Sequence, residues 1–260
     1  MYSLDSFFEF LDSYAPLEIS RKMIEKGDYD NSGILIKCSD TVKKVLFSLD
    51  LSILAVEEAV KNGCDTIVTH HPAIYHPIKS LGTDISTKAV LLAVENKINV
   101  ISMHLNLDMA KKGIDYYLAK GLRANDDKIL DLLQDGVGYG RTFDKDCSLE
   151  QFVQSIKKEF NTDKIIYYGQ GSVKKVASFC GGGASYALDY VSKNLISVDT
   201  IVTSDMPHHV IKELIEEQKN IVLIPHYVSE EYGFSKFYAH VSSSLKGEIT
   251  AYYLDDKRFR

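Results

Sequence analysis

The chain has 260 residues, of which 45% are hydrophobic and 25% charged, so it is long enough to bury one large core or two smaller ones. This composition is typical of globular proteins and excludes the disordered and fibrous classes. The formal net charge of −6, without a basic block, argues against a surface that binds nucleic acid through its phosphates. No apolar run approaches the roughly 20 residues of a membrane span, and the acidic first segment lacks the basic start of a secretory signal.

The first part of the chain is predicted to contain an N-terminal helix and then alternating strands and helices. Leu4, Phe7, Phe8 and Leu11 share one helical face, which predicts an amphipathic helix over residues 3–14. The next predicted elements are a strand at 42–49, a helix at 53–62, a strand at 65–69, a helix at 86–95, a strand at 100–103 and a helix at 108–119.

The middle of the chain has the composition of a connection. Acidic residues are mixed with Gly136, Gly138 and Gly140, and we predict a linker at 126–147. After it, Ser148 followed three positions later by Gln151 predicts a capping box at the start of a helix that reaches residue 160.

Three short patterns of the first part recur in the same order later in the chain. The sequence Val-Lys-Lys-Val at 42–45 returns at 173–176, and Asp-Thr-Ile-Val-Thr at 65–69 returns at 199–203. The third pattern is an apolar run that leads to a histidine with an acid four residues later. Their shared order predicts an internal duplication, with two related α/β lobes at 1–125 and 148–260. Alternating strands and helices predict mainly parallel sheets, whose ligands gather at the carboxyl ends of the strands.

The third pattern suggests a metal site. Its two copies are His104 with Asp108 and His226 with Glu230, and each follows a predicted strand. Residues four apart on a helix lie about 5–6 Å from each other, so each pair can project together. A doublet, His70-His71, also ends a predicted strand and precedes a proline, which favours a turn at this point. Imidazole and carboxylate are together the ligands of zinc, iron, manganese and nickel.

Each of these features has a simpler interpretation on its own. A lone histidine at a strand end is more often a structural hydrogen-bonding group, and His76 and His240 are interpreted in this way. A histidine and an acid at helical spacing often form only a surface ion pair. The coincidence of the doublet and both pairs at strand ends favours the metal hypothesis.

Two other segments leave alternatives open. Cys180-Gly-Gly-Gly183 is either a phosphate-binding turn or a tight turn that needs glycine. Ser204, Asp205, His208 and His209 occupy the place of the His70-His71 doublet in the second repeat. They are either groups that orient ligands or contact substrate, or simply the start of a surface helix.

The four cysteines, Cys38, Cys64, Cys147 and Cys180, include no C-x-x-C pair. This spacing fits neither a zinc ribbon nor a disulfide scaffold. We therefore expect reduced thiols in a cytoplasmic protein, and none of them as a catalytic group.

Together the motifs resemble the GTP cyclohydrolase 1 type 2 homologues, also called Nif-three-like proteins. The resemblance covers nearly the whole chain, and its pieces are 29–33, 48–50, His70-His71-Pro72, 104–108, 136–140, 180–183, 203–205 with His209, and 226–230. The chain departs from the usual family pattern where Ser204 and Pro225 replace glycine.

The resemblance implies a two-lobed α/β subunit with a dinuclear metal site between the lobes, assembled as a toroidal homohexamer. It implies two divalent ions, chosen from Zn, Fe, Mn or Ni, and the implied ligands are His70, His71, Asp108, His226 and Glu230. His104 would stand beside the metals, and His104 or His209 would move the proton in catalysis.

The implied activity is that of a metal-dependent hydrolase with a small-molecule substrate, for which the family name points to GTP. The alternative is a non-catalytic metal-binding scaffold or a regulatory ring that binds other proteins. No membrane or nucleic-acid partner is expected.

Overall fold

The structure, a computed structural model, describes residues 2–82, 84, 87–245 and 247–260. The chain divides into two compact units. Unit 1 consists of Met1–Ala110 and Phe234–Asp256, and unit 2 consists of Lys111–Gly233 and Lys257–Arg260. Both units contain sheets and helices, which confirms the predicted mixed α/β class. Within the described part of the chain, no helix is both long and apolar enough to cross a membrane.

The helices and strands alternate along most of the chain. The helices are α1 (Leu4–Asp12), α2 (Leu17–Lys26), α3 (Ile53–Asn62), α4 (Lys88–Glu95), α5 (Leu105–Met109), α6 (Ile114–Gly121), α7 (Leu149–Phe160), α8 (Ala184–Ser192), α9 (His208–Glu216) and α10 (His226–Ser244), with a short 3-10 helix at Lys257–Phe259. The strands are β1 (Tyr2–Ser3), β2 (Gly33–Ile36), β3 (Thr41–Val42), β4 (Lys44–Ser48), β5 (Thr66–Thr69), β6 (Asn99–Ser102), β7 (Lys128–Gln134), β8 (Val137–Ser148), β9 (Ile166–Tyr168), β10 (Ser172–Ser178), β11 (Thr200–Thr203), β12 (Asn220–Leu223) and β13 (Thr250–Leu254).

The main sheet of unit 1 has the strand order β13-β4-β5-β6-β2. The strands β13, β4, β5 and β6 are parallel to one another, and β2 runs antiparallel to β6. Every residue of β5 and β6 is buried, as expected for parallel strands that are covered on both faces. Thr69 pairs with Ser102, so the carboxyl ends of β5 and β6 lie side by side. The residues that follow these two strands therefore emerge at one edge of the sheet.

The sheet of unit 2 has the order β7-β8-β10-β11-β12-β9. Only β10, β11 and β12 are mutually parallel, and β7, β8 and β9 each join the sheet in antiparallel pairs. The prediction of mainly parallel sheets is therefore not confirmed for the molecule as a whole. Thr203 pairs with Leu223, which places the carboxyl ends of β11 and β12 side by side, as for β5 and β6.

The helix predicted at 3–14 is observed as Leu4–Asp12, and two other predicted helices also differ from the structure. The predicted helix at 86–95 is observed as Lys88–Glu95, and its first predicted residue, Ser86, lies outside the described residues. The predicted helix at 108–119 is two helices, α5 and α6, because Ala110 is extended with ψ 157° and Gly113 is extended before α6. The capping box of Ser148 and Gln151 at the start of α7 is confirmed.

The predicted linker, residues 126–147, forms most of the β7–β8 hairpin. Its glycines serve this hairpin. Gly136 adopts φ +71° between the strands, and a Cβ on Gly138 would overlap the carbonyl group of Asp131. Glycine is therefore concentrated here because of a tight turn and close strand contacts. The lobe boundaries and the duplication stay predictions, and unit 1 also includes Phe234–Asp256 from the later part of the chain.

Arg141 has the structural role that its burial suggests. Its guanidinium donates to the carboxylates of Asp115 and Asp127 at 3.1 and 2.6 Å. Asp115 also accepts the backbone N–H of Cys180, so the network holds the chain just beyond β10. Burial would raise the pKa of Asp127, but hydrogen bonds from Lys120 and Arg141 and their charges lower it, which keeps this carboxyl ionised.

Gly140 provides a test of the hairpin. A Cβ at this position would clash with the buried ring of Phe179, and the residue adopts φ +70°. Gly140→Ala should lower the free energy of unfolding by about 1–3 kcal/mol more than Gly171→Ala, because overpacking adds to the backbone strain. Gly171 is a matched control, since it has φ +90° but no atom within 4 Å of the position that a Cβ would occupy. Chemical denaturation measures both variants, and equal losses would contradict the close contact with Phe179.

Candidate metal centre

His70 and His71 lie together where β5 ends. The backbone N–H groups of both residues donate to the carbonyl of Leu49 at 3.0 Å, so the chain turns and the strand alternation stops. The two rings are consequently close, with centroids 4.9 Å apart. His70 is fully buried and His71 is half-buried.

His104 and Asp108 approach the doublet from the end of β6. His104 immediately precedes α5, and its ring centroid lies 5.2 Å from that of His70 and 5.9 Å from that of His71. Asp108 is buried in α5, and its Oδ1 lies 3.5 Å from Nε2 of His70. The pairing of Thr69 with Ser102 explains this meeting, because it aligns the two strand ends.

The three imidazoles of unit 1 are oriented in the same way. Nδ1 of His70 lies 2.8 Å from the carbonyl oxygen of Met103, which can only accept a hydrogen bond. Nδ1 of His71 lies 2.6 Å from Oδ1 of Asp50. Nδ1 of His104 lies 2.8 Å from Oδ1 of Asp30.

In each ring Nδ1 thus donates to an oxygen, and Nε2 is the nitrogen on the opposite side of the ring. Metal-binding histidines usually have this arrangement, since the acceptor fixes the tautomer and the ring orientation. Candidate ligand atoms of His70, His71 and His104 all lie within 4.8 Å of one another, so these residues are able to hold a metal ion.

Asp30 is built to remain a carboxylate. Burial raises the pKa of Asp30, but hydrogen bonds from His104, Ser32 and Ser20, together with the charge of His104, outweigh burial and lower it. Ser32 connects the same groups, because its hydroxyl donates to Asp30 at 2.7 Å and accepts the backbone N–H of His104 at 3.0 Å. The ring of His104 is therefore held from two directions.

Unit 2 carries the second predicted pair at the start of α10. Nε2 of His226 lies 3.0 Å from Oε1 of Glu230, one helical turn further on. Nδ1 of His226 lies 2.5 Å from Oδ2 of Asp205, so this fourth imidazole also has Nδ1 on an oxygen acceptor. Glu230 is buried, and a Cβ on Gly181 would clash with its Oε1.

The 180–183 segment is a tight turn around these groups. Gly181 adopts φ +56°, and its carbonyl accepts a hydrogen bond from Thr203 at 3.1 Å. Thr203 in turn accepts the backbone N–H of Gly183 at 3.1 Å. Only a residue without a side chain fits against Glu230 here, which favours the simpler of the two interpretations left open by the sequence.

Comparison with known proteins now identifies the family. The sequence model of the DUF34/NIF3 family, described as NGG1p interacting factor 3, matches residues 2–257. The chain belongs to the DUF34/NIF3 family.

Similar proteins cover almost the whole chain. A "GTP cyclohydrolase 1 type 2 homolog" of Methanocaldococcus jannaschii is 29% identical over 248 residues, which are 93% of this chain and 95% of that protein. "NGG1-interacting factor 3" of Saccharomyces cerevisiae is 27% identical over 256 residues, with coverage of 87% and 86%. The crystal structure of a Bacillus cereus protein related to NIF3 matches 98% of this chain and 97% of its own with a TM-score of 0.85. Its identity is 18%, so it shows the fold alone.

The predicted site residues of this DUF34/NIF3 protein fall in both units. Unit 1 brings together His70, His71, His104 and Asp108, and unit 2 brings together His226 and Glu230. His209 is exposed in the first turn of α9, and its catalytic role stays a prediction.

Asp30 and Asp50 have a role that the sequence alone did not predict. Both belong to motifs that carried the family resemblance, 29–33 and 48–50, and this was the signal that could have found them. Each aspartate orients one imidazole, which no local pattern indicates. Asp205, which the sequence left open, orients His226.

The two departures from the family pattern are accommodated without loss of the local geometry. Ser204 is buried, and its hydroxyl lies 2.7 Å from that of Ser229 in the first turn of α10. Pro225 precedes this helix, and its carbonyl accepts the N–H of Ser229 at 3.0 Å. A proline suits this position, where its missing N–H has no helical partner to lose.

Three of the four cysteines have thiols with a raised pKa. Cys38, Cys64 and Cys147 carry free thiols. Burial raises the pKa of each, in the case of Cys64 to about 11, with the charge of Asp65 as a further cause there. A raised pKa disfavours the thiolate, which is the nucleophilic form.

Asp50→Asn tests whether the carboxylate partners support a metal site. The change keeps the size of the side chain but removes the charge that holds Nδ1 of His71, so affinity for Zn²⁺ or Mn²⁺ should fall about 10–100-fold. Calorimetric titration of metal-depleted protein measures the affinity. The control is Asp189→Asn, since Asp189 is exposed and forms a surface ion pair with Lys193. Equal affinities of the two variants would show that Asp50 does not support metal binding.

Proposed function

We propose that this DUF34/NIF3 protein is a metal-dependent hydrolase with a dinuclear centre. The proposed ligands come from both units, and they are His70, His71, Asp108, His226 and Glu230. The fixed orientation of the four imidazoles is the observation that carries the proposal. Three of them have carboxylate partners and one a carbonyl partner at Nδ1, so Nε2 is the proposed ligand atom of His70, His71 and His226 and the proposed proton acceptor of His104.

The chemistry of the donors fits divalent ions. Nε2 of His70 lies 3.5 Å from an oxygen of buried Asp108, and an imidazole nitrogen beside a carboxylate oxygen is a ligand pair that suits divalent first-row metal ions. Neutral imidazole with carboxylate suits Zn, Fe, Mn or Ni alike, so metal analysis must identify the ions.

The proposal of a centre with ligands of both units rests on the family resemblance. The pair in unit 2, His226 and Glu230, supplies by itself fewer than the three protein ligands that a catalytic zinc ion usually has.

Metal ions in such a centre act as Lewis acids and lower the pKa of water towards neutrality. A histidine beside the metal ions would transfer the proton. We assign His104 as the proton carrier, because Asp30 keeps the proton on Nδ1 and stabilises the imidazolium that forms when Nε2 accepts a proton. His209 is the second candidate for this role.

GTP is the first substrate to test, since the name of the Methanocaldococcus jannaschii relative refers to GTP cyclohydrolase 1 type 2. The proposed reaction is hydrolytic attack on the imidazole ring of the purine, with release of formate.

Glu230→Gln should abolish metal-dependent turnover and leave the fold intact. The amide keeps the packing against Gly181 but removes the negative charge that binds the cations. Turnover of GTP and of a panel of phosphoesters is measured with and without chelator, and metal content by mass spectrometry. Glu216→Gln is the control, because Glu216 is an exposed residue of α9 that pairs with Lys212.

Wild-type turnover in a metal-depleted Glu230→Gln protein would defeat the proposal. Full metal occupancy without turnover of any compound would favour the alternative, a metal-binding scaffold. The yeast relative is named for an interaction with NGG1, and binding of another protein is the kind of function that a scaffold would have.

The proposed assembly is a toroidal homohexamer in the cytoplasm, where free thiols persist. Its basis is the family resemblance, and β9 supports it. This edge strand pairs with β12, and its side chains Ile166, Tyr167 and Tyr168 are 57%, 44% and 37% exposed. An exposed apolar edge strand presents unpaired N–H and C=O groups with which another chain can pair.

Native mass spectrometry tests the assembly. The wild type should have six times the chain mass of 29.2 kDa. Ile166→Lys should shift the mass towards smaller species, because it places a charge on the edge strand. Ile215→Lys, a change at a 44% exposed position of α9, should not. A monomeric wild type would refute the hexamer.

A further inference from the structure

Unit 1 carries an exposed group of aromatic rings beside the histidines. We call Tyr29, Tyr75 and His76 the aromatic platform. Their ring centroids lie 5.0 Å apart for Tyr29 and Tyr75, and 4.7 Å apart for each tyrosine and His76. Tyr29 and Tyr75 are 45% and 41% exposed, although large aromatic rings usually gain most from burial. The platform thus offers aromatic surface to solvent.

The platform is held in place by contacts between its two loops. The side-chain amide of Asn31 donates to the carbonyl of Ile74 at 2.5 Å. The hydroxyl of Tyr75 donates to the carbonyl of Tyr29 at 3.3 Å. Asp30, between Tyr29 and Asn31, is fixed by its hydrogen bond to His104. The rings are therefore ordered by the protein itself, and a ligand would not have to order them.

The platform adjoins the candidate metal centre. The ring of Tyr75 meets that of His104 edge to face, with centroids 6.0 Å apart at an interplanar angle of 87°. A molecule whose reacting atom lies near His104 can therefore extend over Tyr75.

The charges around the platform limit what it can bind. Burial raises the pKa of Tyr75, and the negative charges of Asp30 and Asp28 raise it further, with Tyr29 also contributing. Tyr75 is therefore a neutral phenol in an acidic neighbourhood. Such surroundings repel phosphate and favour a neutral ring with N–H donors on its edge.

We propose that the aromatic platform binds a planar nitrogen heterocycle, such as a purine base, by stacking, and so places it beside His104. This inference rests on the proposed function, for which it names the part of the chain that holds the substrate ring. Stacking on aromatic side chains accepts any base, so the platform supplies affinity for a flat ring and not selectivity among bases.

Binding of 2-aminopurine riboside to metal-depleted protein tests the platform. This fluorescent nucleoside is quenched when it stacks, it has no phosphate, and the chain has no tryptophan to interfere. Wild-type protein should quench it, and ribose should not compete. Tyr75→Leu and Tyr29→Leu should each weaken binding about tenfold, and Tyr75→Phe should stay within about twofold of the wild type, because it keeps the ring.

Phe259→Leu is the control, since it removes a ring that is 50% exposed in unit 2. Wild-type affinity in both leucine variants would overturn the platform, and so would an equal loss in Tyr75→Phe and Tyr75→Leu. Circular dichroism and metal content should be unchanged in every variant, and a misfolded leucine variant is replaced by Tyr75→Met.

The same measurements separate this inference from the hydrolase proposal. If the protein quenches the riboside through the platform but metal-loaded protein turns over no substrate, the platform stands and the hydrolase fails. If metal-loaded protein turns over GTP with the same KM in wild type and Tyr75→Leu, the hydrolase stands and the platform fails.

Discussion

The candidate metal centre depends on a pair of buried hydroxyl groups at the ends of β5 and β6. Oγ1 of Thr69 and Oγ of Ser102 lie 2.7 Å apart. Thr69 donates to the carbonyl of His71 at 2.8 Å, so Ser102 must donate to Thr69, and Ser102 accepts the backbone N–H of Ala73 at 3.1 Å. Every hydrogen-bonding group of this chain of contacts is thus used. Because an unsatisfied buried polar group is costly, the turn that carries His70 and His71 is held in one conformation.

A second constraint comes from the carboxylates. Asp30 and Asp108 are buried, and a buried carboxylate is stable only when it is paired or hydrogen-bonded. Asp30 has this support from His104 and Ser32. Oδ1 of Asp108 lies 3.5 Å from Nε2 of His70, whose Nδ1 faces the carbonyl oxygen of Met103. The surroundings thus differ between the two acids, which is why we assign Asp30 to orientation and Asp108 to metal binding.

Local patterns predicted what depends on local interactions. The capping box of Ser148 was predictable because both of its hydrogen bonds lie within three residues. The pairs that orient the imidazoles were not, since 74 residues separate Asp30 from His104 and 21 separate Asp50 from His71. The glycines at 136–140 belong to a hairpin, and a tight hairpin and a linker have similar compositions. The close contacts of Gly138 with Asp131 and of Gly140 with Phe179 distinguish them, and both depend on the folded structure.

The repeated patterns have the same structural role in both units. Asp65 accepts the backbone N–H groups of Lys43 and Lys44, and its counterpart Asp199 accepts those of Lys174 and Lys175.

The threonine after each aspartate donates to it, at 3.0 Å for Thr66 and 2.7 Å for Thr200. These contacts fix the amino ends of the central strands, and the histidines follow the carboxyl ends. In each unit, an aspartate therefore fixes the amino ends of the central strands. The carboxyl ends of parallel strands are where ligands generally bind. Residues that follow strands anchored in this way are held in a more precise geometry than residues on loops.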